Sequence, residues 1–326
     1  MILNLVPCIV SLVMSYSDCC SIIRRVRFVN LLTVIVLLLL LLRAEHVLAK
    51  AYPLPAPGSR LIGELQTHQI VKGDYFQAIA EQYNVGFLAL MAANPGVDPF
   101  LPEPGTSLLI PSQMLLPYTK REGIVINLPE LRLYYFPKNG TQVHVFPVGI
   151  GRQGLATPKT VSYISEKRKD PVWRPTAETK ARYFKEHGKQ LADEIPAGAN
   201  NPFGKYALRL GRSVYLLHGS NQRFGIGMRS SSGCIRLYDD DIEWLYKNVD
   251  INTPVRIVEQ PIKLSYEAAH RLMEVHSPLT GEEGEPTRLK PTPAVRDFVG
   301  NLAANKALLS QQIASPTGLV ITLSTN

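Results

Sequence analysis

The spacing of apolar residues between positions 67 and 112 predicts a small unit built from two strands and two helices. A strand at 68–71 opens this unit and a strand at 107–110 closes it. Between them, the apolar residues recur at the spacing of one helical face. The first helix is expected to bury four side chains: Phe76, Ile79, Ala80 and Tyr83. The pattern therefore predicts a compact βααβ module.

Capping and helix-breaking residues indicate the ends of the two helices. Asp74 stands at the expected N-cap of the first helix, and Gln77 three positions later would complete a capping box. The second helix is expected to start near Phe87 and to end at Asn94, because Pro95 follows.

From Gly123 onward the apolar residues follow the period of strands. β-branched and aromatic runs predict strands at 124–126, 131–136, 143–146, 213–217 and 255–258. Asn139 and Gly140 lie between two of these runs and predict a hairpin turn. The fold class expected for the whole chain is therefore α+β and mainly β.

A long charged segment, from Lys167 to Gly204, interrupts the strand pattern. Loops of this length within a β domain are usually functional or disordered. A short helix is expected within the segment at 179–186. We interpret the segment as a lid over a groove, and a solvated excursion from the sheet is the alternative.

The N-terminus has the order of a secretory signal. An apolar run at 29–42 follows a basic cluster and precedes small residues. The run is about 14 residues long, whereas a helix that spans a membrane needs about 20. We therefore predict a signal peptide region over residues 1–49, with a retained membrane anchor as the alternative. The Pro-rich stretch that follows predicts an extended linker over 50–66.

Composition narrows the class of protein. A length of 326 residues suggests about two domains, and 45% hydrophobic residues exclude wholesale disorder. The formal net charge is +8, but the basic residues are scattered. Together with export, this pattern favours a polyanion of the cell envelope over nucleic acid as the partner. The sequence has no set of residues at metal-ligand spacing, so neither a metal nor a cofactor is expected.

Cysteine usage points to a catalytic thiol. Cys8, Cys19 and Cys20 lie in the predicted signal, so Cys234 would remain as a lone thiol in an oxidising compartment. His218 precedes it by sixteen positions. An imidazole can take the proton of a thiol and so activate it as a nucleophile. A buried, inert cysteine is the alternative.

The neighbours of Cys234 favour the catalytic interpretation. Gly233 and two serines before it allow a tight turn whose backbone N–H groups can point at a developing oxyanion. Arg236 adds a fixed cation suited to a carboxylate on the substrate.

This stretch resembles the catalytic domain of the L,D-transpeptidase family, the YkuD-type domain. The family signature is a His, a gap, and then Ser/Thr-x-Gly-Cys-x-Arg, and the chain supplies it at 218 and 231–236. Secondary landmarks match at 151–158 and 201–208. The resemblance implies a β-sandwich-like catalytic domain over 122–260. Ser232 departs from the pattern, since His is frequent there, and the role of base therefore falls on His218 alone.

The resemblance implies a role for each residue of the motif. Cys234 is the expected nucleophile, and His218 is the expected base, held by the backbone carbonyl near Gly219. The N–H groups of Gly233 and Cys234 are the expected oxyanion donors. Substrate-binding roles are implied for four residues: Arg236, Ser231, Ser232 and Tyr206. Aromatic core packing is the alternative for the last of them.

A second resemblance covers the βααβ module. Residues 71–74, 79–80, 94–95 and 109–111 are similar to those of LysM modules, which bind glycans that contain N-acetylglucosamine, including peptidoglycan. Tyr75 and Phe76 depart from the usual pattern. The resemblance implies a LysM glycan-binding module over 67–112.

Together the two resemblances imply a periplasmic enzyme that acts on peptidoglycan. The thiol would attack a tetrapeptide stem after its third residue, D-Ala would leave, and the acyl group would pass to an amine. The order of the domains, with the LysM module before the catalytic domain, resembles one subgroup of the family, and so does the segment 224–229. In that subgroup the acceptor is the C-terminal Lys of murein lipoprotein. Transfer to a second stem and hydrolysis by water are the alternatives.

The last segment, 263–326, is predicted to be a small C-terminal appendage without chemistry. A polar linker is expected at 282–286. Apolar residues between 295 and 309 then predict an amphipathic helix.

Overall fold

The structure is a computed structural model that describes residues 50–279 and 287–324. The predicted signal over 1–49 and the predicted linker at 282–286 lie outside the described residues. No helix in the described ranges is long and apolar enough to cross a membrane.

Strands outnumber helices in the described part of the chain, so the fold is mainly β, as predicted. The helices are α1 (Phe76–Gln82), α2 (Phe87–Ala93), α3 (Ala177–His187), α4 (Asp239–Asn248), α5 (Pro293–Val299) and α6 (Ala303–Ala314). The strands are β1 (Lys50–Pro53), β2 (Leu61–Ile62), β3 (Gln66–Gln69), β4 (Ser107–Ile110), β5 (Met114–Leu115), β6 (Gly123–Asn127), β7 (Arg132–Phe136), β8 (Gln142–Pro147), β9 (Ile150–Gly151), β10 (Thr160–Lys169), β11 (Tyr206–Leu210), β12 (Leu216–His218), β13 (Phe224–Gly227), β14 (Arg229–Ser231), β15 (Ile235–Arg236), β16 (Pro254–Val258), β17 (Ile262–Glu267), β18 (His270–Val275) and β19 (Val320–Leu323).

A nine-stranded sheet in the order β1-β8-β7-β6-β16-β10-β11-β12-β15 forms the centre of the fold. β10 joins its two halves, because residues 160–163 pair with β16 whereas residues 164–169 pair with β11. Apolar side chains from both halves share one buried core, which includes Ile126, Phe146, Leu208 and Leu217. The two halves therefore cover each other in a β-sandwich-like arrangement. Helix α4 adds Ile242 and Leu245 to the same core, and Val249 at its C-terminal end joins them.

The βααβ module forms as the apolar spacing predicts. β3 and β4 pair antiparallel, and the core between sheet and helices includes Phe76, Ile79 and Ala80. Helix α2 ends at Asn94, whose side chain donates to the Leu109 carbonyl (2.8 Å) and accepts from the Leu109 N–H (2.7 Å).

The predicted capping box of α1 is wrong. The N-cap residue is Tyr75, and its side chain makes no capping hydrogen bond. The Asp74 carboxylate instead contacts residues that precede the helix: it accepts from the Val71 N–H (2.9 Å) and lies 2.9 Å from His68 Nε2. Asp74 therefore closes the turn before the helix rather than the helix itself.

The segment 50–66, predicted as an extended linker, forms two strands instead. β1 pairs with β8 at the edge of the large sheet, and β2 pairs with β5. Prolines are compatible with an edge strand, since their missing N–H need not join a ladder. Tyr52 is buried against Tyr134 and Val143, and this packing holds the strand in place.

The C-terminal segment is a folded unit of three strands, β17-β18-β19, and two helices. Its core includes Met273, Val299 and Leu309. The sequence predicts one helix here, but Gly300 separates α5 from α6. Gly300 has φ +75°, a left-handed conformation that glycine adopts without strain and that ends a helix.

Candidate active site

The strand register places the predicted nucleophile and base on one face of the sheet. β12 and β15 are parallel, with Leu217 opposite Ile235 and His218 opposite Arg236. Leu217 and Ile235 point into the core. Because side chains alternate along a strand, His218 and Arg236 point to the opposite face, which we call the catalytic face. Cys234 immediately precedes Ile235, and the same alternation directs its side chain to the catalytic face.

His218 is buried, and its orientation is fixed by one short hydrogen bond. Its Nδ1 lies 2.6 Å from the Gly219 carbonyl oxygen. A carbonyl can only accept, so Nδ1 carries the proton and Nε2 keeps the lone pair that a general base requires. The Phe203 ring covers the imidazole, with ring centroids 4.7 Å apart. The hydrogen bond to Gly219 is the one that the resemblance implies, and the catalytic role of His218 stays a prediction.

Burial sets the protonation of the imidazole. It lowers the pKa of His218 to about 3, while the Gly219 hydrogen bond opposes the shift and the charge of Arg236 adds to it. His218 is therefore neutral at physiological pH and able to receive a proton.

Cys234 lies partly buried, with its sulfur 4.0 Å from the Val214 carbonyl oxygen. Burial raises the pKa of the thiol, although the positive charges of Arg236 and Arg209 oppose that shift. The resting site therefore holds a neutral thiol and a neutral imidazole, and the proton must move as the sulfur attacks.

The turn before Cys234 is braced from within. Ser231 is buried, and its hydroxyl donates to the Cys234 carbonyl (2.5 Å) and accepts from the Gly233 N–H (3.1 Å). Ser231 thus positions the turn in this structure, and the substrate-binding role that the resemblance implies for it stays a prediction. The Gly233 N–H is also engaged, so the Cys234 N–H is the remaining candidate of the two predicted oxyanion donors.

The conformation of Gly233 and a hydrogen bond from Thr157 also fix this turn. Gly233 has φ +105°, and a Cβ there would lie 2.8 Å from the Tyr215 ring. The buried Thr157 hydroxyl donates to the Gly233 carbonyl (2.8 Å) and accepts from the Gly151 N–H (2.9 Å). The sequence of the 151–158 landmark does not predict this role of Thr157, because only the fold brings the two segments together.

Arg236 places an unpaired cation beside the thiol. Its backbone exchanges two hydrogen bonds with Gly149, each 2.9 Å long. Its Nε is buried without a hydrogen-bond partner, and no carboxylate in the described ranges forms an ion pair with the side chain. Such a side chain can bind an anionic substrate group, as expected from the sequence.

The predicted lid contacts the turn that carries the nucleophile. Helix α3 lies within the lid segment, where a short helix was expected. Arg182 Nη2 of this helix donates to the Ser232 hydroxyl (3.0 Å), and Glu186 pairs with Arg152 (2.6 Å). The exposed Ser232 therefore bonds to the lid in this structure. Asn201 secures the end of the segment by donating to the Pro171 carbonyl (2.8 Å).

Tyr206 packs away from the catalytic face. Its ring lies against Tyr246 of α4, 4.7 Å between centroids, and its hydroxyl donates to Glu243 (3.3 Å). It also borders the main core. The packing of Tyr206 in this structure favours the core-packing alternative over the substrate-binding role that the resemblance implies.

A buried acidic cluster lies apart from this site, where the catalytic and C-terminal units meet. Glu130, Glu274 and His276 come close enough to share a metal ion. However, Lys263 already pairs with both glutamates, at 2.9 and 3.0 Å, and Arg132 pairs with them at 3.3 and 3.1 Å. Two buried cations thus balance the two carboxylates, and the cluster is better described as an ion-pair network than as a metal site.

Sequence comparison agrees with this arrangement. The family model of the L,D-transpeptidase catalytic domain, YkuD, matches residues 121–257, that of the L,D-transpeptidase C-terminal domain matches 261–322, and that of the LysM domain matches 68–111. The chain is 52% identical to the probable L,D-transpeptidase YcfS of Escherichia coli K12, over 74% of this chain and 78% of the relative. The chain belongs to the L,D-transpeptidase family.

A second relative matches more of the chain, and a solved structure matches a smaller part of it. The probable L,D-transpeptidase ErfK/SrfK of Salmonella typhimurium is 41% identical over 87% of this L,D-transpeptidase and 94% of the relative. The solved catalytic domain of the Enterococcus faecium L,D-transpeptidase superposes with a TM-score of 0.33 at 20% identity, over 44% of this chain and 100% of that one. The segment predicted to be an appendage corresponds to the L,D-transpeptidase C-terminal domain, whose family model matches residues 261–322.

Proposed function

We propose that this L,D-transpeptidase works through a Cys234 acyl-enzyme formed with a peptidoglycan tetrapeptide stem. The observation that carries the proposal is the neutral His218 on the catalytic face, with Nδ1 bonded to the Gly219 carbonyl and Nε2 left with a lone pair. The β12–β15 register, extended by one residue, puts Cys234 opposite Leu216, two residues along the strand from His218 and on the same face. A base and a nucleophile so arranged support acyl transfer.

The first half-reaction forms the thioester. The Cys234 thiol gives its proton to His218 Nε2 while the sulfur attacks the carbonyl carbon that links the third residue of the stem to D-Ala. In this proposal the Cys234 N–H donates a hydrogen bond to the negative oxygen that results. The C–N bond then breaks, and the imidazolium gives its proton to the nitrogen of the leaving D-Ala.

The second half-reaction consumes the thioester. An acceptor amine attacks the carbonyl carbon, and His218 takes a proton from its nitrogen. The C–S bond breaks, an amide forms, and the proton passes from His218 to the sulfur. The neutral thiol and imidazole of the resting enzyme are restored, so the cycle is balanced.

The acceptor that we propose is the C-terminal Lys of murein lipoprotein. The LysM-first layout and the segment 224–229 support it. Acidic residues in the lid give little further support, because three of them are already in ion pairs: Glu186 with Arg152, Asp193 with Lys180 and Glu194 with Arg174. Transfer to a second stem is the competing function, and hydrolysis by water is the third.

The LysM and catalytic domains together imply that the protein binds peptidoglycan. We infer that the LysM module binds the glycan while the catalytic face receives the stem peptide. The predicted signal region supports a periplasmic location for this activity.

The test is a product analysis with purified mature protein. Tetrapeptide muropeptide is incubated with a peptide that ends in Lys and with a second stem, and the products are identified by mass. We expect D-Ala release and a dominant Lys-linked product. Cys234→Ser and His218→Ala should each lower D-Ala release by about 10²-fold or more, whereas His270→Ala, at an exposed histidine, should not. Normal turnover in either site variant would contradict the acyl-enzyme, and a dominant stem-to-stem product would contradict the acceptor.

A further inference from the structure

A row of side chains crosses four strands on the catalytic face. Glu166 of β10 lies opposite Arg209 of β11, and Arg209 lies opposite Leu216 of β12. The register between β12 and β15, extended by one residue, places Cys234 beside Leu216. Strands in a sheet are about 4.8 Å apart, so the backbone of Arg209 lies about 10 Å from that of Cys234.

An irregularity in β10 brings Glu166 to this face. Ile164 points into the core and lies opposite Leu210. Without a shift of register, Glu166 two residues later would point the same way. The register shifts between these two residues, and Glu166 then meets Arg209 on the catalytic face. β-Bulges next to active sites often redirect a side chain in this manner.

Arg209 is held in place but keeps free donors. Its Nε donates to Glu166 (3.0 Å) and its Nη1 donates to the Ser213 carbonyl (3.1 Å). These bonds use two of the five N–H groups of a guanidinium. The side chain is 29% exposed, so it is within reach of a ligand on this face.

The charges around Arg209 do not balance. Glu166 is shared with a second arginine, because Arg168 Nη2 donates to it (2.8 Å). Two cations therefore share one carboxylate, and Arg236 adds a further unpaired cation farther along the face. An additional carboxylate would be bound here without removing an existing partner.

We propose that Arg209 binds a free carboxylate of the peptide substrate, two strands away from Cys234, in the reaction proposed above. Two sources of this group fit the chemistry. One is the carboxylate of the D-Ala that leaves in the first half-reaction. The other is the α-carboxylate of the C-terminal acceptor Lys, which the four-carbon side chain separates from the attacking amine. A guanidinium with free, fixed N–H groups suits either carboxylate.

The experiment compares each carboxylate with the corresponding amide. In the donor arm, the rate of Cys234 acylation is measured by intact mass with a tetrapeptide stem that ends in a free acid or in an amide. In the acceptor arm, the acyl-enzyme partitions between peptides whose terminal Lys is a free acid or an amide. Wild type, Arg209→Gln and Arg209→Lys are compared with Arg212→Gln, which removes an exposed neighbouring cation.

In one of the two arms, we expect Arg209→Gln to lower the preference for the free acid over the amide about tenfold. The preference is the ratio of acylation rates in the donor arm and the ratio of products in the acceptor arm. A loss of this size is what removal of a charge-assisted hydrogen bond predicts. Arg209→Lys should show part of the wild-type preference for the free acid, and Arg212→Gln should show all of it. A loss in the donor arm identifies the D-Ala carboxylate, and a loss in the acceptor arm identifies the Lys carboxylate. Unchanged ratios in both arms would overturn the inference. Failure of wild type to acylate at Cys234 would instead overturn the proposed function.

Discussion

Burial, more than local charge, governs the reactive pair at the scale of single residues. It lowers the pKa of His218 to about 3 and raises the pKa of the Cys234 thiol. Both shifts disfavour the charged form of the group, as transfer into a region of low dielectric constant does. A thiolate–imidazolium pair is therefore not the resting state of this site.

The pH dependence of Cys234 alkylation tests this protonation state. The thiolate is the reactive species, and the raised pKa keeps it scarce at neutral pH. We expect the rate with iodoacetamide to rise about tenfold per pH unit between about pH 6 and 8. Intact mass follows the adduct, and Cys234→Ser should show none. A rate that is constant across this range would reveal a preformed ion pair and contradict the assignment.

The short motif predicts which residues react, but it does not predict which neighbours support them. The roles of Cys234 and His218 depend on a short motif, and the Gly219 carbonyl is the neighbour of His218 in sequence. Ser231 and Tyr206 were assigned to the substrate, but one braces the turn and the other packs on α4. The direction of the Ser231 side chain depends on hydrogen bonds within the turn, and that of Tyr206 depends on the alternation of side chains along β11. The motif encodes neither.

At the scale of elements, helix α3 makes few contacts with the rest of the fold. It begins at Thr176, whose hydroxyl accepts from the Thr179 N–H (3.1 Å), and it ends at Gly188 with φ +67°. It buries none of its side chains. Its contacts to the catalytic face are polar and exposed, and contacts of this kind contribute little to stability. We therefore expect α3 to open and close over Cys234.

Hydrogen exchange measures this motion. Amides of α3 should show about 10²-fold less protection than those of α4, which buries Ile242 and Leu245. Arg182→Gln removes the contact with Ser232 and should lower protection in α3 further. Arg174→Gln removes an exposed ion pair in the same segment, with Glu194, and is the matched control. Equal protection of the two helices would show that the lid is rigid.

The elements that sequence patterns predicted less well are those that depend on partners far along the chain. The short helix in the lid and both helices of the LysM module have local signals, and they were found. Strand β1 has a Pro-rich sequence without strand periodicity, and it forms because β8 offers an edge and Tyr52 fits a hydrophobic pocket. The apolar spacing does not predict the break at Gly300, because it continues on both sides of that residue.

At the scale of the whole molecule, the LysM module packs directly on the catalytic domain. Gln77 of α1 donates to the Tyr238 hydroxyl (2.9 Å), and Glu81 pairs with Arg223 (2.7 Å). Met228 packs against the apolar core of the module. These contacts involve the loop after His218 and the strands that lead to the Cys234 turn. A substitution that disrupts this interface should therefore also disturb the active site and lower turnover.

Two glycines, Gly86 and Gly227, approach each other closely across this interface, and they provide a sharp test. Gly227 has φ +70°, and a Cβ there would collide with Gly86 of the LysM module. Gly105 has φ +90° but no atom within 4 Å of such a Cβ. Ala at either position suffers the strain of a left-handed conformation, and only Gly227→Ala also forces the two domains apart.

We therefore expect the melting temperature of Gly227→Ala to fall below that of Gly105→Ala by about 4 °C or more. Turnover of a soluble muropeptide should also fall in Gly227→Ala, because residues 229–231 run directly from this contact to the turn that carries Cys234. Scanning calorimetry and D-Ala release provide the two measurements. Equal melting temperatures and equal turnover in the two variants would show that the LysM module is only tethered to the catalytic domain, and that glycan binding and acyl transfer are mechanically independent.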